Sequence, residues 1–213
     1  MKKYFILCLL LVSFTAFVGA QQCRVIDTDF SKGQLKHKQT LEYEDLVKFH
    51  GHSCDGLLEG MLALQLGLKE LYPNGIIDRT NTRVVSKSSP CLTDAAIYLT
   101  GGRYQYNSFY VDNAFEGLYI LQRKDTKKTV RLIRKAGVKP SLIDSLGALA
   151  IQQKLSYVEL QKLRKLEEAY ADKLRASVPA TLFTVKIIND FNWQSNLKKT
   201  FVKTDIINKN KRK

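Results

Sequence analysis

Histidine, cysteine, methionine and tryptophan are all scarce in this 213-residue chain, which holds three, four, two and one of them. Only four prolines and twelve glycines are present, which excludes collagen-like and low-complexity classes. The Gly-rich phosphate loop, the dinucleotide fingerprint, the Gly-x-Ser-x-Gly elbow and the His-Glu-x-x-His helix are all missing. Their absence argues against nucleotide enzymes, α/β-hydrolases and the common zinc peptidases. Acidic residues are outnumbered, 20 against 34 Lys and Arg, for a net charge of +14. An excess of that size bears on solubility and partners, not on fold. The length fits one domain, large enough to bury a core without disulfide staples.

The first twenty residues account for part of that chemistry. Lys2 and Lys3 precede a nearly unbroken apolar run over 4–18, and Val18-Gly19-Ala20 offers small residues for cleavage. The run is short for a membrane span and polar sequence follows at once. The pattern predicts a signal peptide over 1–20 and a periplasmic or secreted protein, with a retained anchor helix as the alternative. Cleavage removes two lysines and Cys8, leaving Cys23, Cys54 and Cys91. An odd count in an exported chain means at least one thiol that is free, metal-bound or intermolecular. Lipidation of Cys23 is a further alternative, although Gln22 is a poor fit to the small residue a lipobox places there. The membrane is otherwise expected to be met only through the leader.

Beyond a polar, exposed lead-in over 21–40, hydrophobic periodicity predicts helices over 41–49 and 56–71, the second stopped by Pro73-Asn74-Gly75. A buried strand over 82–86 and a short helix over 93–99 follow. Strands are expected over 104–111, 118–123 and 129–134, the last two joined by a hairpin. A weaker helix over 142–155 leads to Ser156-Tyr157-Val158-Glu159, a capping box that opens a helix reaching about 177. A final strand over 181–188 precedes a basic tail over 191–213. Clustered strands indicate an α+β domain, with helices packed on a mostly antiparallel sheet.

Two of the three histidines and a cysteine fall within five residues, His50-Gly51-His52-Ser53-Cys54. Imidazole and thiolate are the preferred ligands of zinc and other borderline or soft metals. Cys54 directly precedes a helix, where unpaired N–H groups and the positive end of the dipole favour thiolate. Cys91, after Pro90, repeats that arrangement. His50, His52, Cys54 and Cys91 together would make a tetrahedral Cys₂His₂ set, with Asp94 able to replace a ligand or orient a histidine. Three alternatives stand beside it: a Cys54–Cys91 disulfide, a pair of buried unliganded cysteines, and a metal-free reactive thiol at Cys54 with a histidine base. Zinc leads among the metals, followed by other transition metals or haem iron.

The same residues carry a resemblance. Phe49-His50-Gly51-His52-Ser53-Cys54-Asp55-Gly56-Leu57 followed by Gly60 resembles F-H-G-H-x-C-P-G-L-x-x-G, the opening motif of the FmdE-like proteins, a family named after formylmethanofuran dehydrogenase. Cys91-Leu92-Thr93-Asp94-Ala95 with Leu99-Thr100-Gly101 is similar to a second block of that family, and Leu182-Phe183-Thr184-Val185 to its closing strand. The resemblance covers about 41–190 and implies an α+β core, a Cys/His site that often holds a metal, and frequent homodimerisation. It names no reaction, since most relatives stand outside the pathway behind the family's name. Asp55 replaces the usual proline. After Gly101 the family's Gly/Lys/Asn loop gives way to Gly102-Arg103-Tyr104-Gln105-Tyr106, so Arg103, Tyr104 and Tyr106 become candidates for holding a small anionic ligand or cofactor. No cysteine lies in 191–213, so the C-terminal zinc ribbon of some relatives is lacking.

Three functions are therefore in competition. The first is an exported metal-binding protein. The second is a metal- or thiol-dependent enzyme at the same site, with Cys54 and Asp94 as its catalytic groups and no substrate named. The third is a basic module for anionic partners, through the charges near Lys124–Lys135 and Lys162–Lys165; nucleic acid is an unsuitable partner for an exported chain.

Overall fold

A computed structural model describes residues 22–28 and 35–194. The expected leader over 1–20 and the tail from 195 onward lie outside the described residues. The chain forms β1 (Gln22–Thr28), β2 (Leu35–Glu42), α1 (Tyr43–His50), α2 (Asp55–Leu71), β3 (Ile77–Asp78), β4 (Thr82–Ser86) and α3 (Pro90–Thr100). Then come β5 (Phe109–Val111), β6 (Tyr119–Arg123), β7 (Thr129–Arg134), α4 (Ser141–Ile151), α5 (Tyr157–Ala176), α6 (Pro179–Leu182) and β8 (Phe183–Ile187). The larger sheet runs β5-β4-β6-β7-β8; only the β4–β5 pair is parallel. A smaller sheet runs β2-β1-β3. This is the α+β architecture expected.

Helix α2 is the axis of the fold. Leu57, Leu58, Met61, Leu62, Leu64, Leu68 and Leu71 are all buried, so the helix is apolar around most of its circumference, as a central helix must be. It lies on β6 and β7, and α3 and α5 flank it. Gly67 permits that contact: a Cβ there would sit 2.8 Å from the methyls of Leu121 and Leu132. Each leucine fully removed from water contributes about 1.5–3 kcal/mol.

The element boundaries depart from the sequence reading in a few places. Part of the polar lead-in is folded: β1 and β2 pair antiparallel from Gln22↔Glu42 to Thr28↔Leu35, and residues 37–40 are exposed. Cys23 and Val25 face the core while Gln22 and Arg24 face water, an alternation that the many lysines and glutamines obscure. The expected strand over 104–111 is a 3₁₀ turn at Tyr104–Tyr106 followed by β5, because Asn107 adopts φ 53°. Helix α4 stops at Ile151, ahead of Gln153 at φ 57°. The last strand begins at Phe183, since Pro179 first opens one helical turn. Within 191–194, Trp193 donates from Nε1 to Asn107 Oδ1 at 2.7 Å and sets its ring edge-on to Tyr110. The capping box is formed as expected, with Glu159 N–H donating to Ser156 Oγ and Ser156 N–H to Glu159 Oε2.

Candidate metal centre

Three helix ends meet beside the His-Gly-His-Ser-Cys segment. Helix α1 finishes at His50, where Gly51 takes the left-handed conformation, φ 101°, and returns its N–H to Val47. That turn reverses the chain, and Cys54 then caps α2 from an extended backbone, its Sγ accepting the Leu57 N–H at 3.3 Å. Tyr43 pins the loop between them: its hydroxyl lies 3.0 Å from Ser53 Oγ and donates to the Cys54 carbonyl at 3.2 Å. Cys91 follows the capping Ser89 and Pro90 at the start of α3. Gly56 makes room for it, since a Cβ there would stand 3.1 Å from the Cys91 sulfur.

The result is a three-donor cluster. Cys54 Sγ lies 3.5 Å from Cys91 Sγ and 3.9 Å from His50 Nε2. The ligand atoms of His50, Cys54 and Cys91 all fall within 4.8 Å of one another. Tetrahedral zinc with ordinary bond lengths spaces sulfurs by about 3.8 Å, and sulfur from nitrogen by about 3.5 Å. The donor set therefore fits a metal ion with small adjustments. His50 is also prepared for the role: Nδ1 is 2.7 Å from Asp94 Oδ2, which makes Nδ1 the N–H donor and leaves Nε2 as the ligating atom. Asp94 is thus a positioning residue for His50, one of the two roles the sequence offers it.

The thiols are electrostatically distinct. The hydrogen bond from Cys54 holds Cys91 below the ordinary thiol range. The same bond, then burial, holds Cys54 above it. Of the pair, Cys91 is therefore the thiol that ionises more readily. All three of Cys23, Cys54 and Cys91 are free rather than disulfide-bonded. Cys23 stands apart in the core, where burial pushes its thiol up to about 11; such a thiol behaves as a small apolar group.

The other predicted residues fall in two places. His52 is exposed and outside the three-donor group, its ring centroid 4.7 Å from that of His50. Arg103 and Tyr106 lie beyond the opposite end of α3, on a separate cavity with Asp27, His37 and Arg79. Tyr104 is half exposed on the same turn and does not line that cavity. The sequence singles out Asp55 but not the charged groups that surround it behind Cys54. Asp55 is nearly buried, with Lys139 Nζ at 3.9 Å, and Lys139 also pairs with Asp144 at 2.8 Å. One turn on, buried Glu59 accepts two hydrogen bonds from Arg134 and one from the Tyr170 hydroxyl. Burial and then the charge of Asp55 raise Glu167 above the ordinary carboxyl range. These partners come from helices and strands far along the chain, and no local motif announces them.

Fold and site together define a class, a single α+β domain whose helix ends gather two thiols and an oriented imidazole that could hold a metal ion. The sequence profile of the family described as FmdE, molybdenum formylmethanofuran dehydrogenase operon, matches residues 49–184. The chain belongs to that family. No curated protein matches it. Among the described residues, no helix is long and apolar enough to cross a membrane.

Proposed function

We propose that this protein is exported and binds zinc through His50, Cys54 and Cys91. The observation that carries the reading is the Asp94–His50 bond, which fixes the imidazole so that Nε2 is the atom turned to two sulfurs. Two thiolates and one imidazole suit zinc over the hard cations, which take oxygen ligands. Export rests on the leader-like residues 1–20. A zinc ion on three protein donors keeps one position for water or a substrate and lowers the pKa of what it binds. That position is the ground for the enzyme reading, whose substrate class the cluster does not specify. His52 is the nearest further imidazole, and its ligation would close the centre into a structural site.

Metal analysis of the purified mature protein tests this. Wild type should carry about one equivalent of zinc per chain and Cys54→Ser far less. His52→Ala retaining the wild-type content indicates three donors and an open position; its loss indicates the closed set. Wild type and Cys54→Ser alike holding no more than traces would overturn the proposal.

A further inference from the structure

The geometry points to a second site: the cavity beyond the C-terminal end of α3 binds a small organic acid, its carboxylate held between the guanidiniums of Arg79 and Arg103. The cavity, about 370 Å³, opens where β1 and β2 meet the loops that follow β3 and α3. Sites for small molecules begin at about 300 Å³. It is independent of the metal centre. Cys91 sits at the first turn of α3 and Gly101 caps the last, so the two ends are about 15 Å apart at 1.5 Å per residue.

Two of the residues that line the cavity, Arg79 and Thr28, each carry a polar atom that is shielded from solvent and has no partner among the described residues. The Arg79 side chain is 13% exposed, and its Nε has no hydrogen-bond partner among the described residues. Its carboxylate neighbour is distant: Asp27 Oδ2 is 3.6 Å from Nη1, beyond ordinary hydrogen-bond length. That carboxylate also accepts the Thr28 N–H through its other oxygen. Thr28 is itself 6% exposed, with an Oγ1 that lacks a partner among the described residues. Arg103 is held in place because Nη1 donates to the carbonyls of Gly102 and Ile97. Burial lowers the pKa of Arg79; Asp27 opposes that shift and the charge of Arg103 adds to it. A second cation, Arg103, therefore stands close enough to the buried Arg79 to act on it.

A buried guanidinium short of acceptors carries an uncompensated desolvation cost. A carboxylate supplies two coplanar oxygens to such a group. Among the described residues that line the cavity, the two guanidiniums of Arg79 and Arg103 and the one carboxylate of Asp27 leave an excess of one positive charge. That excess matches a monoanion, whereas a phosphate monoester at roughly −1.5 to −2 overshoots it. His37 and Gln105, both exposed, also line the cavity, and their side chains can hydrogen-bond hydroxyl or keto substituents. The ligand class is accordingly a small hydroxy or keto acid.

Thermal unfolding of the purified protein in sodium lactate, sodium phosphate or sodium chloride at matched ionic strength tests this. Lactate should raise the melting temperature saturably above the chloride control, with a smaller effect from phosphate. Arg103→Gln should abolish the lactate shift, and Gln105→Ala should weaken it without altering the unliganded melting temperature. Cys54→Ser should retain it. A lactate shift no larger than that of chloride, or one undiminished in Arg103→Gln, overturns the proposal. So does a shift lost in Cys54→Ser, which would place the anion on the metal. A larger response to phosphate overturns the carboxylate assignment.

Discussion

Replacing Asp94 tests the metal centre without removing a ligand. Its carboxylate accepts a hydrogen bond from His50 Nδ1 at 2.7 Å, with the imidazole 5% and the carboxylate 31% exposed. A hydrogen bond to a charged group is worth about 1.5–3 kcal/mol, and 1.4 kcal/mol is a factor of about ten in affinity. Loss of the bond therefore predicts zinc binding weaker by about 10–100-fold, the range seen when such supporting groups are removed. The partial exposure of Asp94 places Asp94→Ala near the tenfold end, since solvent screens its charge. Asp94→Asn keeps an acceptor oxygen and the same tautomer, so it should lose less than Asp94→Ala. Competition with a chromogenic chelator at fixed pH measures both, and circular dichroism checks the fold. Wild-type affinity in Asp94→Ala would refute the reasoning, because His50 would then not bind through a prepared Nε2.

Further predictions follow from the same structure. Zinc affinity should fall as pH falls: binding displaces thiol protons, and Cys54, held above the ordinary thiol range, keeps its proton throughout the neutral range. A pH-independent chelator competition would contradict this. In the metal-free native protein, iodoacetamide should modify Cys91 first and Cys23 last, since Cys91 is lowered while Cys23 is buried and pushed up to about 11; peptide mass spectrometry gives the order, and early labelling of Cys23 would refute it. Arg134→Ala should destabilise the fold in urea by about 3 kcal/mol, the low end for stranding a buried charge, because Glu59 is 4% exposed but Arg134 is 27% exposed. Glu59→Leu with Arg134→Met should recover most of that loss, and a single-variant effect below about 1 kcal/mol would be inconsistent with the range for broken buried pairs. Gly60→Ala should lower the melting temperature even though alanine gains up to about 1 kcal/mol of helix propensity. Its Cβ would come 2.6 Å from the Tyr119 hydroxyl, which is bonded to the Leu92 carbonyl; an increase in melting temperature would refute the packing argument.

The central helix was legible because its leucines recur at helical spacing and Pro73-Asn74-Gly75 stops it, and the β6–β7 hairpin because Lys124-Asp125-Thr126-Lys127-Lys128 separates two strand-like runs. Strand β7 and the capping box of α5 fall where the sequence places them. The β1–β2 pair was not legible: only β1 alternates, through Cys23 and Val25, while β2 buries Leu41 alone among its described side chains and reads as polar chain through Lys38 and Gln39. The site was legible in its location, since the crowding of scarce His and Cys residues is a local signal. Which histidine faces the sulfurs was not, because the left-handed turn at Gly51 decides it by ending α1 at His50. The approach of Cys91, 37 positions from Cys54, depends on the packing of α3 against α2 through Gly56 and Gly60. The Glu59–Arg134–Tyr170 network joins residues 75 and 111 positions apart, a separation that no spacing argument reaches.

Tyr43 carries a practical consequence for anyone trimming the chain. The stretch matched to the family begins at 49, so a fragment cut there would retain every candidate ligand yet discard the hydroxyl that anchors Ser53 and the Cys54 carbonyl. It would also discard Val25, Leu41 and Leu46 from the core. At its other end, cutting after 184 would remove most of β8 and with it the edge pairing of β7. The recognisable unit is thus smaller than the cooperative one. A minimal fragment with the full motif should bind metal poorly, through an entropic penalty on a loop no longer tethered, while a fragment keeping 22–194 retains both the ligands and the scaffold that orders them.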